Sequence, residues 1–310
     1  TVANTKDKTT TVVVKNVTVG EKGVLALTGG ADSGADTNLK FGDSATTYNL
    51  TSGSTVNLTK ANWEGDISDA SDVNITIKDD STIKNYGTNV KANITVEAQK
   101  TGTIALADNA DTADKDEGLL QLASGSTISI SGDGTSGSTL KLSSGNLSLD
   151  EGVILSNTSS DATDASKAGT LTIGDTTAAT LTITKDTLSN FLAGTNDGAK
   201  QGVLDISASG TVIVNGDINL SEFAFSGTAG AGKIKVADGA QFGANNIVID
   251  ATAADATTLK VVAKDTLTLG SSSADTVDAG VKSLEAKNLA TVTNGTEFKL
   301  QDDVTLSSTQ

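Results

Sequence analysis

The chain has 310 residues, 38 acidic against 22 basic, giving a net charge of −16 and a pI near 4.3, which weighs against nucleic acid as a partner. Only 36 % of residues are apolar and 3 % aromatic, against ~45–50 % apolar for an ordinary single-core domain, so the interior they can fill is narrow and aliphatic. Cys, His, Pro and Met are absent and every basic residue is Lys, which excludes a disulfide framework, Ser-His-Asp and thiol nucleophiles, and the usual zinc and haem ligands.

From the N-terminus, a polar leader "TVANTKDK" precedes "TTTVVVKNVTV" (9–19), the densest β-branched run in the chain. Residues 1–20 read as an N-terminal strand and assembly segment. A strand rich in Val with Lys15 as its one charge and no Pro is poorly guarded against pairing with a neighbour. Val12, Val13, Val14, Val17 and Val19 are therefore the candidate self-association residues, and the competing expectation is that 9–19 forms the first coil of its own fold. The chain opens at Thr1, as a processed chain or an excised fragment would.

Over 21–185 short alternating phrases recur, among them "TVNL" (55–58), "NITI" (74–77), "NITV" (93–96), "TISI" (127–130), "TLKL" (139–142) and "TLTI" (170–173 and 180–183). Each places two aliphatics at i and i+2, the period of a strand with one buried face, and Thr, Val and Ile favour β over helix. Gly, Asn, Asp and Ser punctuate the runs as turn formers. Residues 186–201 break the rhythm: Leu188, Phe191 and Leu192 share a helical face, with a Thr or Asp cap before and Gly194 after, which predicts a short helix or a loop insertion. The alternation resumes over 202–310 with "VLDI", "TVIV", "NIVI" and "TLTL", and 275–289 is ambiguous because Val277, Val281 and Leu284 fit helical spacing while Gly280 interrupts it.

Many short strands, small turns and a thin aliphatic interior predict an all-β chain built as a β-solenoid, with 21–185 and 202–310 as its two stretches and tandem β-sandwich domains as the alternative. At about 20–25 residues per coil and about 4.8 Å per coil, such a rod has roughly 12–15 coils and a length of about 60–70 Å.

The chemistry left to a chain without His or Cys is that of carboxylates, Lys and Tyr. A carboxylate-pair glycosidase is the enzyme reading to beat, but one Trp and two Tyr offer few sugar platforms, and the expectation is no enzyme. In "DNADTADKDEG" (108–118), Asp108, Asp111, Asp114 and Asp116 form a candidate Ca²⁺ cluster without EF-hand spacing, a solvated acidic loop being the competing reading. "GGADSGADTNL" (29–39) lacks the glycine spacing of a calcium roll. Sequons such as Asn57-Leu58-Thr59 and Asn93-Ile94-Thr95 lie within strand runs and read as outward polar positions. The longest aliphatic stretches, at 12–14 and 261–263, fall far short of the roughly 18 residues of a membrane helix, so no membrane insertion by this chain is expected.

The phrases "SGSTxxL", "GTLTI" and "GTVIVNGDINL", with a Cys-free composition rich in Thr, Ala, Gly, Ser and Asp, resemble the passenger regions of bacterial autotransporter adhesins and are similar in style to S-layer and biofilm-matrix proteins. That resemblance implies an extracellular or cell-surface location. Composition and resemblance together point to a non-enzymatic structural protein, a homo-oligomeric or polymeric subunit or stalk of a surface layer, fibre or biofilm matrix. The alternative is an adhesin that binds a host or neighbouring cell through loops at 29–38, 108–118 and 186–201.

Overall fold

The computed structural model describes residues 1–4, 10–29, 39–68, 70–106, 118–131, 136–158, 167–196, 200–249, 259–269, 276–278, 283–292, 297–299 and 305–308. The chain is nearly all β, with one α-helix, Lys185–Ala193 (α1), among the described residues. Every pairing between its named strands is parallel; an isolated bridge, Asn157 to Lys200, runs antiparallel. Tandem β-sandwiches are therefore not the architecture, because their sheets are built from antiparallel hairpins and Greek keys.

The strands form parallel ladders. Ladder A has seven: Val2–Ala3, Val24–Thr28, Thr55–Thr59, Val73–Ile77, Ala92–Val96, Thr127–Ile130 and Ile154–Asn157. Ladder B runs from Thr10–Val12 and Leu39–Phe41 through Ala61–Asp66, Ser81–Val90, Thr101–Ala105, Thr139–Leu149, Thr170–Ile173 and Val203–Ile206 to Ile234–Val236. Ladder C takes the second halves of Ser81–Val90 and Thr139–Leu149, with Leu119–Leu122, and continues through Ala179–Thr184, Gly210–Asn219, Gln241–Ile249, Lys260–Leu269 and Ser283–Val292 to Thr305–Ser308. From Ala92 to Ile173 the chain visits A, B and C in turn. Ser81–Val90 and Thr139–Leu149 each bend and serve two ladders, so with Thr101–Ala105 and Leu119–Leu122 they close a ring of four parallel strands. The second bend is at Gly145, whose φ of +76° suits glycine and where a Cβ would lie 2.0 Å from the Leu106 carbonyl.

The "SGS" phrases at 52–54 and 124–126 have a local cause, shared with "DEGV" at 150–153. In the turns at 51–54, 123–126 and 150–153 the fourth N–H donates to the first carbonyl at 3.0–3.2 Å, and the third residue, Gly53, Gly125 or Gly152, holds a positive φ. That is the type II arrangement, which needs glycine at its third position, and each turn launches a strand of ladder A.

In-register pairing stacks like side chains into columns. On ladder A, Val56, Ile75, Ile94, Ile128 and Leu155 are consecutive partners, at offsets of 19, 19, 34 and 27 residues. On ladder B, Trp63, Ile83, Ile104, Leu142, Ile173 and Ile206 are. All are buried. Six of the nine aromatics gather in two places: Phe41, Tyr48 and Trp63, with Tyr48 and Trp63 edge-on at 5.2 Å, and Phe223, Phe225 and Phe242. Within the ambiguous stretch 275–289, Thr276–Asp278 is a strand paired with Glu297–Lys299, and the start of Ser283–Val292 is a strand held in register between Lys260–Leu269 and Thr305–Ser308.

Candidate functional site

The candidate self-association residues lie at the first strands of the fold. Thr10–Val12 pairs in parallel with Leu39–Phe41, and Asn16–Val19 with Thr47–Leu50. Val19 is buried, Val12, Val14 and Val17 are half-buried against the core, and Val13 is 64 % exposed. The segment thus has partners within its own chain, while the opposite edges of these strands carry no strand among the described residues. Asp108, Asp111, Asp114 and Asp116 lie outside the described residues, as does most of 29–38. Among the described residues no group of three or more Asp and Glu is placed to hold a metal ion.

Residues 186–193 form the predicted helix. Thr184, in extended conformation, caps α1 by accepting the Thr187 N–H at 3.2 Å, and Gly194 ends it with φ 66°. Leu188, Phe191 and Leu192 are buried. The helix follows a ladder C strand and precedes a ladder B strand, and so occupies the place in the chain's circuit where a ladder A strand is due. It lies against Ile154–Asn157, the last strand of ladder A, where Thr187 Oγ1 donates to the Val153 carbonyl at 3.0 Å and Asn196 Nδ2 to the Leu155 carbonyl at 2.9 Å. These side chains bond carbonyls that a further strand would otherwise take. Between the helix and this strand runs an open groove of about 710 Å³, lined by Glu151, Ile154, Lys185, Asp186, Asn190 and Asn215 among others.

The ladders differ in charge. On the outer face of ladder B, Lys84 lies 3.9 Å from Glu64 and Lys235 2.9 Å from Asp205, each pair in register neighbours. Beside it, Lys100 donates to Asp79 at 3.0 Å. Burial opposes ionisation of Asp79, but that bond, with the backbone N–H of Asp80, holds its carboxyl below the usual carboxylate range. The seven strands of ladder A, by contrast, contain no charged residue in a chain that is 19 % charged. Between Val24 at one end and Ile154 at the other, its outward positions are mostly Thr, Asn and Ser, joined along the ladder and at its margin by bonds such as Asn93 Nδ2 to Asn74 Oδ1 at 3.2 Å and Ser131 to Thr158 at 3.0 Å. Reading the sequence for strands alone missed this face. The signal was present in "TVNL", "NITI", "NITV" and "TISI", none of which carries a charge.

Comparison with protein-family models, with characterised proteins and with solved structures returned no match.

Proposed function

We propose that the chain is a β-solenoid rod acting as a non-enzymatic structural subunit or stalk of an extracellular bacterial surface layer, fibre or biofilm matrix. The observation that carries this reading is the repeated circuit of the chain through three parallel ladders with unbroken aliphatic columns. Such a stack gains length by adding coils and spends its sequence on shape, as a spacer does. An acidic surface keeps an abundant extracellular protein soluble. Electron microscopy of the purified chain tests the reading: rods about 60 Å long that assemble into sheets or filaments are expected, and compact particles that stay single at every concentration overturn it.

One observation favours a second reading, a rod that also binds a receptor. The groove beside α1, of about 710 Å³, brings Asn190, Asn215 and the apolar Ile154 to one opening. Binding of cells or glycans that Asn190→Trp abolishes would support it, and binding unchanged by that substitution would refute it.

A further inference from the structure

The middle outward row of ladder A's first margin reads, in register, Val24, Thr55, Asn74, Asn93, Thr127, Ile154. The row has the same chemistry from either end: an exposed aliphatic, then Thr, then Asn. Val24 is 59 % exposed and Ile154 45 %, and they are two of the three exposed large hydrophobic residues among the described ones. The next row has Thr76 and Thr95 at its centre. Just beyond the strands the central coils carry opposite charges on both margins, Asp72 against Lys91 on one and Lys78 against Glu97 on the other.

We propose that this face docks a second copy of the chain across a two-fold axis that runs along the strands between Asn74 and Asn93. The axis reverses the order of the strands in the facing ladder and keeps each row opposite itself. Val24 then meets the second copy's Ile154, Thr55 meets Thr127, Asn74 meets Asn93 and Thr76 meets Thr95. Lys78 meets Glu97, and Asp72 meets Lys91, which already pair within one chain at 2.7 Å. An isologous contact requires a surface that is complementary to its own reversed copy, and these rows have that property. A two-fold across the strands, midway between the Asn74 and Thr76 rows, would also set Asp72 against Lys78 and Lys91 against Glu97. It would, however, face Thr76 with Asn74 and Thr95 with Asn93, and would set Val24 and Ile154 each against the next outward position of its own strand. The pairing of Thr76 with Thr95 and of Val24 with Ile154 therefore distinguishes the two axes.

The occupant is a second copy because of charge. Two chains of net charge −16 repel each other, and ladder A offers a broad approach without facing carboxylates, with opposite charges where the margins meet. Its hydroxyl and amide groups are partly bonded to one another along the ladder, which lowers the loss on removing water. Six strands at about 4.8 Å and three outward residues per strand give a contact of about 400 Å² on each copy. That is below the roughly 800 Å² per partner of a standard interface, so the pair is weak alone and gains strength when repeated in an assembly.

The inference deepens the structural-subunit reading by naming one contact surface, and sedimentation of the full chain tests it. The parent chain is expected to dimerise reversibly over a series reaching about 1 mM, the Kd of a weak specific pair. Thr76→Glu alone and Thr95→Arg alone should each abolish the dimer without changing the melting temperature, since both positions face outward. An equimolar mixture of the two variants should restore it, because the introduced acid and base then face each other across the axis. Variants that dimerise like the parent, or a mixture that stays monomeric, overturn this two-fold while leaving any rods and other contacts seen by microscopy in place. A parent chain that stays monomeric to about 1 mM overturns it as well.

Discussion

Asn157 Oδ1 accepts the backbone N–H of Gly169 at 2.8 Å, while its Nδ2 donates to the Gln201 carbonyl at 2.9 Å. One buried side chain at the end of ladder A thus holds both the segment that returns to ladder B at Thr170 and the segment that follows α1. Gly169 leaves room for it: a Cβ there would lie 2.8 Å from Asn157 Oδ1 and 2.6 Å from the Ile130 carbonyl. Replacing Asn157 with Leu removes both bonds and leaves a buried N–H unmade. The expected loss is about 2–4 kcal/mol, measured by denaturant unfolding. A loss under about 0.5 kcal/mol, the range of ordinary surface changes, would show that neither bond holds the junction.

The helix makes a separable prediction. Thr184→Ala removes the cap of α1 and should destabilise by about 1 kcal/mol. Phe191→Ala empties the space between α1 and Gly202, where a Cβ would lie 2.2 Å from the ring, and should cost about 3–5 kcal/mol. Because α1 covers the last strand of ladder A, loosening it exposes that edge to pairing with other chains. Light scattering on mild heating should therefore rise earlier for Phe191→Ala than for an equally destabilising substitution in a ladder B column, such as Ile173→Ala. Identical onset for the two would mean that α1 does not guard the edge.

Strand positions were legible because alternation and turn chemistry are local. "SGST" at 52–55 and 124–127 is a type II turn followed by a strand, and the phrases at 55–58, 74–77, 93–96 and 127–130 each fall within one observed strand. Two phrases, "TLKL" and "NLSL", belong to one long strand that bends at Gly145, since alternation cannot distinguish a bend from a turn. Register was not legible. The offsets of 19, 34 and 27 residues depend on how much chain each corner takes up, which no period in the sequence records. The uncharged face of ladder A needed the register as well, because only stacking brings Val24, Asn74 and Ile154 into one row.

Acid should weaken the Lys100–Asp79 link. With its carboxyl held below the ordinary value of 3.8, folded Asp79 releases its proton more readily than the unfolded chain does. Its contribution is therefore complete above that value and is lost as pH falls through the lower folded one. Both side chains are partly exposed, 35 % and 25 %, so the effect is a modest one. Melting of the parent and of Lys100→Met should differ by a constant amount from pH 7 down to about 4 and converge below it. A difference that persists unchanged to pH 2 would place the stabilisation elsewhere in the Lys100 side chain.

Trp63 reports on the first strands of ladder B. It is the chain's one tryptophan, fully buried and edge-on to Tyr48, so its fluorescence should be blue-shifted and resist quenching by iodide. Emission like that of free tryptophan in the native protein would contradict its place in the ladder B column.

That probe allows a test of how the stack holds together. Ile94 sits in the ladder A column between Ile75 and Ile128, 1 % exposed, and Ile94→Ala leaves a cavity worth about 2–5 kcal/mol. In a stack where each coil touches only its neighbours, stability is a sum of coil and interface terms, so damage spreads weakly with distance. Trp63 pairs with Ile83, in the segment that leads into the Ile94 strand, whereas Phe242 lies on ladder C beyond α1. Unfolding followed at Trp63 should therefore shift to lower denaturant in Ile94→Ala. A tryptophan introduced by Phe242→Trp in a Trp63→Phe background should shift by less than half as much. Equal shifts at both probes would show that the whole chain unfolds as one unit, and the nearest-neighbour account of the stack would fall.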